Sequence, residues 1–508
     1  TLLYIDTPSV TLSVDSCNLV GGFNGIWIDD TDATLNITDC TIWNQGQQCI
    51  SDTSAGDTNL TVSGTHIYKW GQRQGDNGSS SSRCFHMDGI KSFSLTNVTI
   101  DLFDSTEILP TLPDSFNDMR VADIGCVASG GIFDLDNVIV TSPDGFPRAN
   151  WIFNLENFQT LTMTDSTINA PCRNSLVNLN CNDPLVCSAT FERIYFEAEN
   201  RTWPSFDIQN ERMIQVRSGD TANLSMTDCT LINSSNGDGD HIVQVKEIPD
   251  GHWDATNCYF AQTQKGGELA RVDGAGSGSY SAAITSCYFT APGASERGDG
   301  FRITDTFTGD YTITDCTFVE VEDAVTVTGG GDLGTNDVSV VNCTFDDAQY
   351  GVAIDETVNG VGTIDGCYFI NTATRCVEFA GPQGTWIVAN NTFFDPAEEI
   401  IKVNAGAGAY SSLDISYNIL SEWGDSSYAI WLDTSALGSF TEDYNVFADT
   451  VNSASDIDGF FTSGGNSVTT GTLGDVFCNA VSGDLTISSN GLAPGSRPGG
   501  DAGSEAQG

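Results

Sequence analysis

One short phrase recurs along this chain, and its spacing limits the fold more than any other feature. Aligned on ITDCTFV around Cys316, the phrase has a fixed ladder position at Cys17, Cys40, Thr65, Val98, Val138, Ser166, Ile194, Cys229, Cys258, Cys287, Cys316, Cys343, Cys367, Asn391, Asn418 and Asn445. Spacings run from 23 to 40 residues, and from Cys229 onward from 24 to 29. Two residues after every ladder position stands Leu, Ile, Val or Phe, and most positions carry another apolar residue three before. A second short strand follows many of them, such as GIWID at Gly25, AVTVT at Ala324 and AIWLD at Ala429.

A unit of about two dozen residues with two or three short strands, punctuated by Gly and Asp, is one turn of a parallel β-helix. The L-x-x-L-x-L pattern of leucine-rich repeats is missing, and a propeller blade needs about 40 residues. The expectation is an all-β solenoid of about 16 coils, which grows along one axis and so fits 508 residues without several separate cores.

Charge excludes some partners. Nineteen Lys and Arg face 68 Asp and Glu, for a net charge of −49. Like-charge repulsion opposes nucleic acid and anionic membrane surfaces. No run of 18 apolar residues occurs, so no membrane insertion by a helix is expected. The opening TLLYIDTPSV is already strand-like and reads as a mature or excised segment. Nine N-x-[ST] sequons are compatible with a secreted glycoprotein.

The phrases VANNTFF (Val388 to Phe394) and EDYNVFAD (Glu442 to Asp449) place Asn at one corner of successive coils. In this the chain resembles the secreted right-handed parallel β-helix repeat proteins of the pectate-lyase-like superfamily, over roughly residues 1–460. The resemblance implies right-handed coiling. It also suggests that 461–508 is a closing segment, with loop-bearing coils over 65–229 and regular coils over 229–445.

Identical corner residues then stack about 4.8 Å apart. The column Cys229, Cys258, Cys287, Cys316, Cys343 and Cys367, continued by Asn391, Asn418 and Asn445, is read as packing thiols followed by linked amides. Disulfides are instead expected for Cys40 with Cys49, for Cys367 with Cys376, and within Cys172, Cys181 and Cys187. No CxxC motif suggests zinc.

Function is sought where the spacing swells, since extra residues in a solenoid leave as loops that build binding faces. The insert Tyr68 to Ser92 gathers Lys69, Arg73, Arg83, His86 and Lys91, with Trp70 and Phe85 as rings for sugars and Asp88 among them. A second group contributes Arg201 and Trp203. Both groups also read as solvated surface charge.

The resemblance implies that a lyase would need Arg or Lys as base beside Ca²⁺ ligands, for which Arg83, Lys91, Arg120 and Asp88 are candidates. NGDGDH supplies metal candidates Asn236, Asp238 and Asp240, with Glu247 beyond, although His241 stands where a Ca²⁺ loop wants Gly. No lyase or hydrolase signature is complete.

The sequence favours an extracellular or cell-surface β-solenoid with a structural or adhesive role, meeting polysaccharide or its own copies. It requires no cofactor, and Ca²⁺ is an optional ligand. The alternative is a secreted polysaccharide lyase or glycoside hydrolase acting on an acidic polysaccharide.

Overall fold

The computed structural model describes the chain outside 8, 30–31, 54–55, 71–81, 103–118, 127–129, 143–148, 171, 182–185, 199–211, 218, 220, 235–240, 264–266, 274–277, 293–296, 305–308, 329–336, 355–359, 381–383, 405–411, 425–427 and 433–438, and in short strands beyond 448. The chain divides into two units. The N-terminal unit is Thr1–Trp253 with Asn257–Gly267, and the C-terminal unit is Asp254–Thr256 with Glu268–Gly508.

Each unit is a parallel β-solenoid, as the repeat predicts, and its described residues contain no helix. A coil visits three sheets in turn, represented in the N-terminal unit by Thr11–Asp15, Asn18–Val20 and Asn24–Ile28. Each strand pairs in parallel with its counterpart one coil on, as Thr11–Asp15 does with Thr34–Thr38. In the C-terminal unit Asp310–Thr314 pairs in the same way with Asp337–Val341. Period-two burial follows: in Tyr280–Thr285 every second side chain enters the core and the others face out.

The corner between the first two sheets explains the recurring phrase. The residue before each ladder position is left-handed, with φ between +50° and +67°. Asp, Asn, Ser and Gly dominate there because they tolerate that conformation at least cost. At Gly64 a Cβ would sit 2.2 Å from Asp39 Oδ1 on the neighbouring coil, so the Asp39 carboxylate would have to turn aside.

Where the ladder residue is Cys, Thr, Ser or Asn, its side chain forms a hydrogen-bonded bridge. The backbone N–H of Cys343 donates to Cys367 Sγ at 3.4 Å, and that of Cys367 to Asn391 Oδ1 at 2.9 Å. In the N-terminal unit, Cys17 N–H donates to Cys40 Sγ, Cys40 N–H to Thr65 Oγ1 and Val138 N–H to Ser166 Oγ. The thiols donate in turn to carbonyls, Cys343 Sγ–H to those of Val341 and Ile313. Sulfur, hydroxyl and amide therefore do one job, and the reading of these thiols as apolar filler is corrected. Burial also raises the Cys343 thiol well above its ordinary pKa, which keeps it protonated and able to donate.

The expected disulfides are corrected as well. Cys40, Cys49, Cys181, Cys187, Cys367 and Cys376 are free thiols. Cys40 and Cys367 stand at the corner, whereas Cys49 and Cys376 lie on third-sheet strands, so nine residues of separation carries them to different sides of the coil. Cys49 meets Cys84 instead, and Cys181 lies beside Cys187 without bonding to it. The side chain of Cys172 is outside the described residues.

Beyond the ladder, Val446–Ala448 still pairs in parallel with Val468–Thr470. Two antiparallel pairs follow, Phe477–Asn479 with Asp484–Ile487 and Pro494–Arg497 with Gly500–Asp501.

Candidate functional site

In the N-terminal unit the inserts 71–81, 103–118, 143–148 and 199–211 all connect a second-sheet strand to a third-sheet strand. The third sheet also carries cations: Arg83, Arg120, Arg212, Arg217 and Lys246 stand on its strands.

Its inward positions are apolar, with Phe85, Ala122, Phe153, Val177, Ile214 and Val243 in register. The outward neighbours form a polar file, Ser51, His86, Asp123, Asn154, Asn178, Gln215 and Gln244, one per coil. Asn178 Nδ2 donates to Asn154 Oδ1 at 2.6 Å, and Gln215 Nε2 to Gln244 Oε1 at 3.1 Å.

The head of this file is a charged cluster centred on Asp123. Arg83 Nε lies 2.7 Å from Asp123 Oδ2, Arg120 Nη1 donates to Oδ1 at 2.6 Å, and Asn154 Nδ2 donates to Oδ1 at 2.7 Å. The same Asn154 amide reaches Glu156 Oε1 at 3.2 Å. Arg120 also lies over the Trp151 ring, 4.2 Å from its centroid. Burial pushes the Asp123 carboxyl up, but the Asn154 amide and the two guanidiniums outweigh it and hold the group below its ordinary value. Asp123 is thus a fixed anion and an unsuitable proton donor.

Arg83 Nη1 donates to the His86 ring, 2.9 Å from Nδ1 and 3.0 Å from Nε2. Burial and the Arg83 charge lower the His86 pKa against the pull of Asp88 and Asp123, so the imidazole is neutral near pH 7.

Arg83, His86 and Arg120 are brought together, with the exposed Asp88 acting on His86 through its charge. Lys91 is apart from them, exposed and 3.6 Å from Asp57. Trp70 and Phe85 are wholly buried core residues, so neither can stack on a sugar. Arg73, Arg201, Trp203, Asn236, Asp238 and Asp240 lie outside the described residues, as does the side chain of Lys69. Glu247 is exposed and pairs with Lys246 at 3.3 Å. Sequence reading missed Asp123, Trp151, Asn154 and Glu156. Their one signal was outward phase in the strands Met119–Cys126 and Ala149–Glu156.

The C-terminal unit's third sheet carries a different balance. Arg271 and Arg302 share Glu268 at 2.9 and 3.2 Å, with Asp273 and Asp299 as further partners. Arg375 contacts Glu378, Glu398 and Glu399. Burial drives the Asp299 carboxyl up to about 6, opposed by Arg302 and reinforced by Glu268 and Glu322.

This folded value lies above the ordinary 3.8, so the folded state holds the proton more tightly. The stability from this group is complete below about pH 4 and is lost as pH rises through about 6. Asp299→Asn is expected to flatten that slope in urea titrations of the whole protein. An unchanged slope would remove Asp299 as its source.

A family model described as right handed beta helix region matches residues 245–418. The chain carries a right-handed β-helix region. That match supplies the handedness expected from the resemblance. No curated protein matches the chain. Among solved structures, a mutant tailspike protein of E. coli bacteriophage HK620 in complex with a pentasaccharide is 12% identical, with a TM-score of 0.29 over 93% of this chain and 72% of that one. At that identity and TM-score the likeness assigns nothing to this chain.

Proposed function

We propose that this protein is a carbohydrate-binding β-solenoid acting outside the cell or at its surface, and that its ligand is an acidic polysaccharide met by the third sheet of the N-terminal unit. One observation carries the reading. In a chain of net charge −49, two guanidiniums, a neutral imidazole and an indole are gathered around the carboxylate of Asp123, with Asp88 and Glu156 at the edge of the cluster. Arg forks suit planar carboxylates, and the fixed Asp123 and Asn154 hold them in place before a ligand arrives. Below them the buried amide file of Asn154, Asn178, Gln215 and Gln244 braces the sheet by bonds from coil to coil.

Arg120→Ala is expected to weaken binding of a uronate tetrasaccharide at least tenfold in titration calorimetry and to reduce the salt dependence of what remains. Arg83→Gln should do the same to a lesser degree. Unaltered affinity in both variants would overturn the reading.

A lyase remains the second reading because His86 is held neutral beside Arg83, as a proton acceptor near a bound uronate would need to be. Appearance of unsaturated uronate products, with or without Ca²⁺, and their loss in His86→Ala would favour it over simple binding. No product from the wild type would remove it.

A further inference from the structure

The outer rim of the same sheet holds a cation that ion pairing does not account for. Glu156, Asn180, Arg217 and Lys246 occupy equivalent places on successive coils of the N-terminal unit. Arg217 Nε and Asn180 Oδ1 are buried, and neither has a hydrogen-bond partner among the described residues. Lys246, one coil beyond Arg217, has the exposed Glu247 as its ion partner at 3.3 Å, a contact of the weak surface kind.

Other guanidiniums here rest on carboxylates: Arg193 on Asp165, Arg297 on Asp347, Arg375 on three glutamates. With 68 acidic residues in the chain, a partner for Arg217 was easily had. Leaving a partly buried guanidinium nitrogen unsatisfied costs stability, and two cations about 4.8 Å apart along the coil axis repel. An anion seated against both would offset each cost.

We propose that Arg217 and Lys246, with the Asn180 amide beside them, form a second anion subsite that takes a carboxylate or sulfate group. Arg217 lies three coils from Arg120, a rise of about 14 Å at the usual pitch. The inference deepens the function proposed above and rests on it. The polysaccharide lies along the coil axis and carries acidic groups on units about three apart, as an uninterrupted polyuronate or a sulfated chain does. Bridging both subsites with one chain makes the second contact intramolecular, so affinity should rise sharply with ligand length.

Titration with uronate oligosaccharides of two and five units tests this. Wild-type protein is expected to bind the pentamer at least tenfold more tightly than the dimer. Arg217→Gln should abolish that gain and leave dimer affinity unchanged, while Arg120→Ala should weaken both. A pentamer gain that survives Arg217→Gln overturns the subsite and leaves the Arg83–Arg120 reading standing.

Inorganic sulfate supplies a readout independent of any sugar. It should raise the melting temperature of the wild type more than that of Arg217→Gln, and an equal rise in both proteins also overturns the subsite. Without added anion, Arg217→Gln should melt no lower than the wild type, since the guanidinium nitrogen Nε has no hydrogen-bond partner among the described residues to lose. A lower melting point would mean that Arg217 is structural.

Discussion

Asn418→Ala is expected to lower the unfolding free energy of the C-terminal unit by about 3–5 kcal/mol, from several orphaned polar groups at about 1–3 kcal/mol each. Asn418 Oδ1 accepts both from Asn391 N–H at 2.9 Å and from Asn391 Nδ2 at 3.0 Å. Its Nδ2 donates to the carbonyl of Val388 at 2.8 Å and to Asn445 Oδ1 at 3.0 Å. All three Asn residues are fully buried, so water cannot replace what alanine removes.

Asn418→Cys should cost less than half as much, because Cys367 already presents sulfur to the N–H of Cys343 and donates to Val340 at the equivalent place. Urea unfolding followed by circular dichroism measures both. If cysteine proves as harmful as alanine, thiol and amide are not interchangeable bridges.

That equivalence shows what the sequence could and could not disclose. The ladder was legible because each tight corner imposes two demands, a left-handed residue and an apolar residue two places on, and all but those at Val98, Val138 and Ile194 add a small bridging side chain. Asp315, Cys316 and Phe318 meet them in one coil, and Asn390, Asn391 and Phe393 in another. The bridging itself was not legible, since Cys, Thr, Ser and Asn share no obvious property until the N–H of the neighbouring coil is seen pointing at them. The pairing of Cys40 with Cys49 failed for a related reason. Distance along the chain says little about which side of the coil a residue reaches.

The site was harder to read because phase does not survive an insertion. Within a strand, alternate residues face in and out, but a connection of uncounted length resets the alternation. Trp70 and Phe85 flank the insert 71–81, and both proved to be inward, whereas His86, one residue on, faces out. Asp123 and Asn154 follow inserts of their own, so nothing before them fixed their orientation. Arg83 and Arg120 were recognisable by scarcity alone, being two of nineteen cations in an acidic chain. Their common partner became visible only when Met119–Cys126 was placed in register with Ser82–Asp101.

Phe345→Ala should be as damaging as the loss of Asn418, at about 3–5 kcal/mol, but through packing. The ring lies between those of Phe318 and Phe369, with centroids 5.3 and 4.5 Å away and interplanar angles of 7° and 13°. Phe289 and Phe393 extend the stack at both ends. Parallel strands on neighbouring coils hold the backbone at a fixed pitch, so the stack cannot collapse to fill the space, and the cavity term should be near its upper range.

Glycine marks how closely the opposite wall approaches. A Cβ on Gly351 would fall 2.5 Å from both the Cys376 carbonyl oxygen and Phe369 Cε1, and one on Gly300 2.4 Å from the Ala324 carbonyl oxygen and 2.6 Å from Phe318 Cδ1. Gly351→Ala is therefore expected to destabilise the wild type but to be better tolerated beside Phe369→Leu, giving a favourable coupling in a double-mutant cycle. Additive losses would mean that the Cys376 carbonyl, not the ring, excludes a side chain at Gly351. Phe345→Leu separates volume from stacking in the same way. If it costs nearly as much as alanine, ring-to-ring contact holds these coils together, and if it costs little, filling the corner is enough.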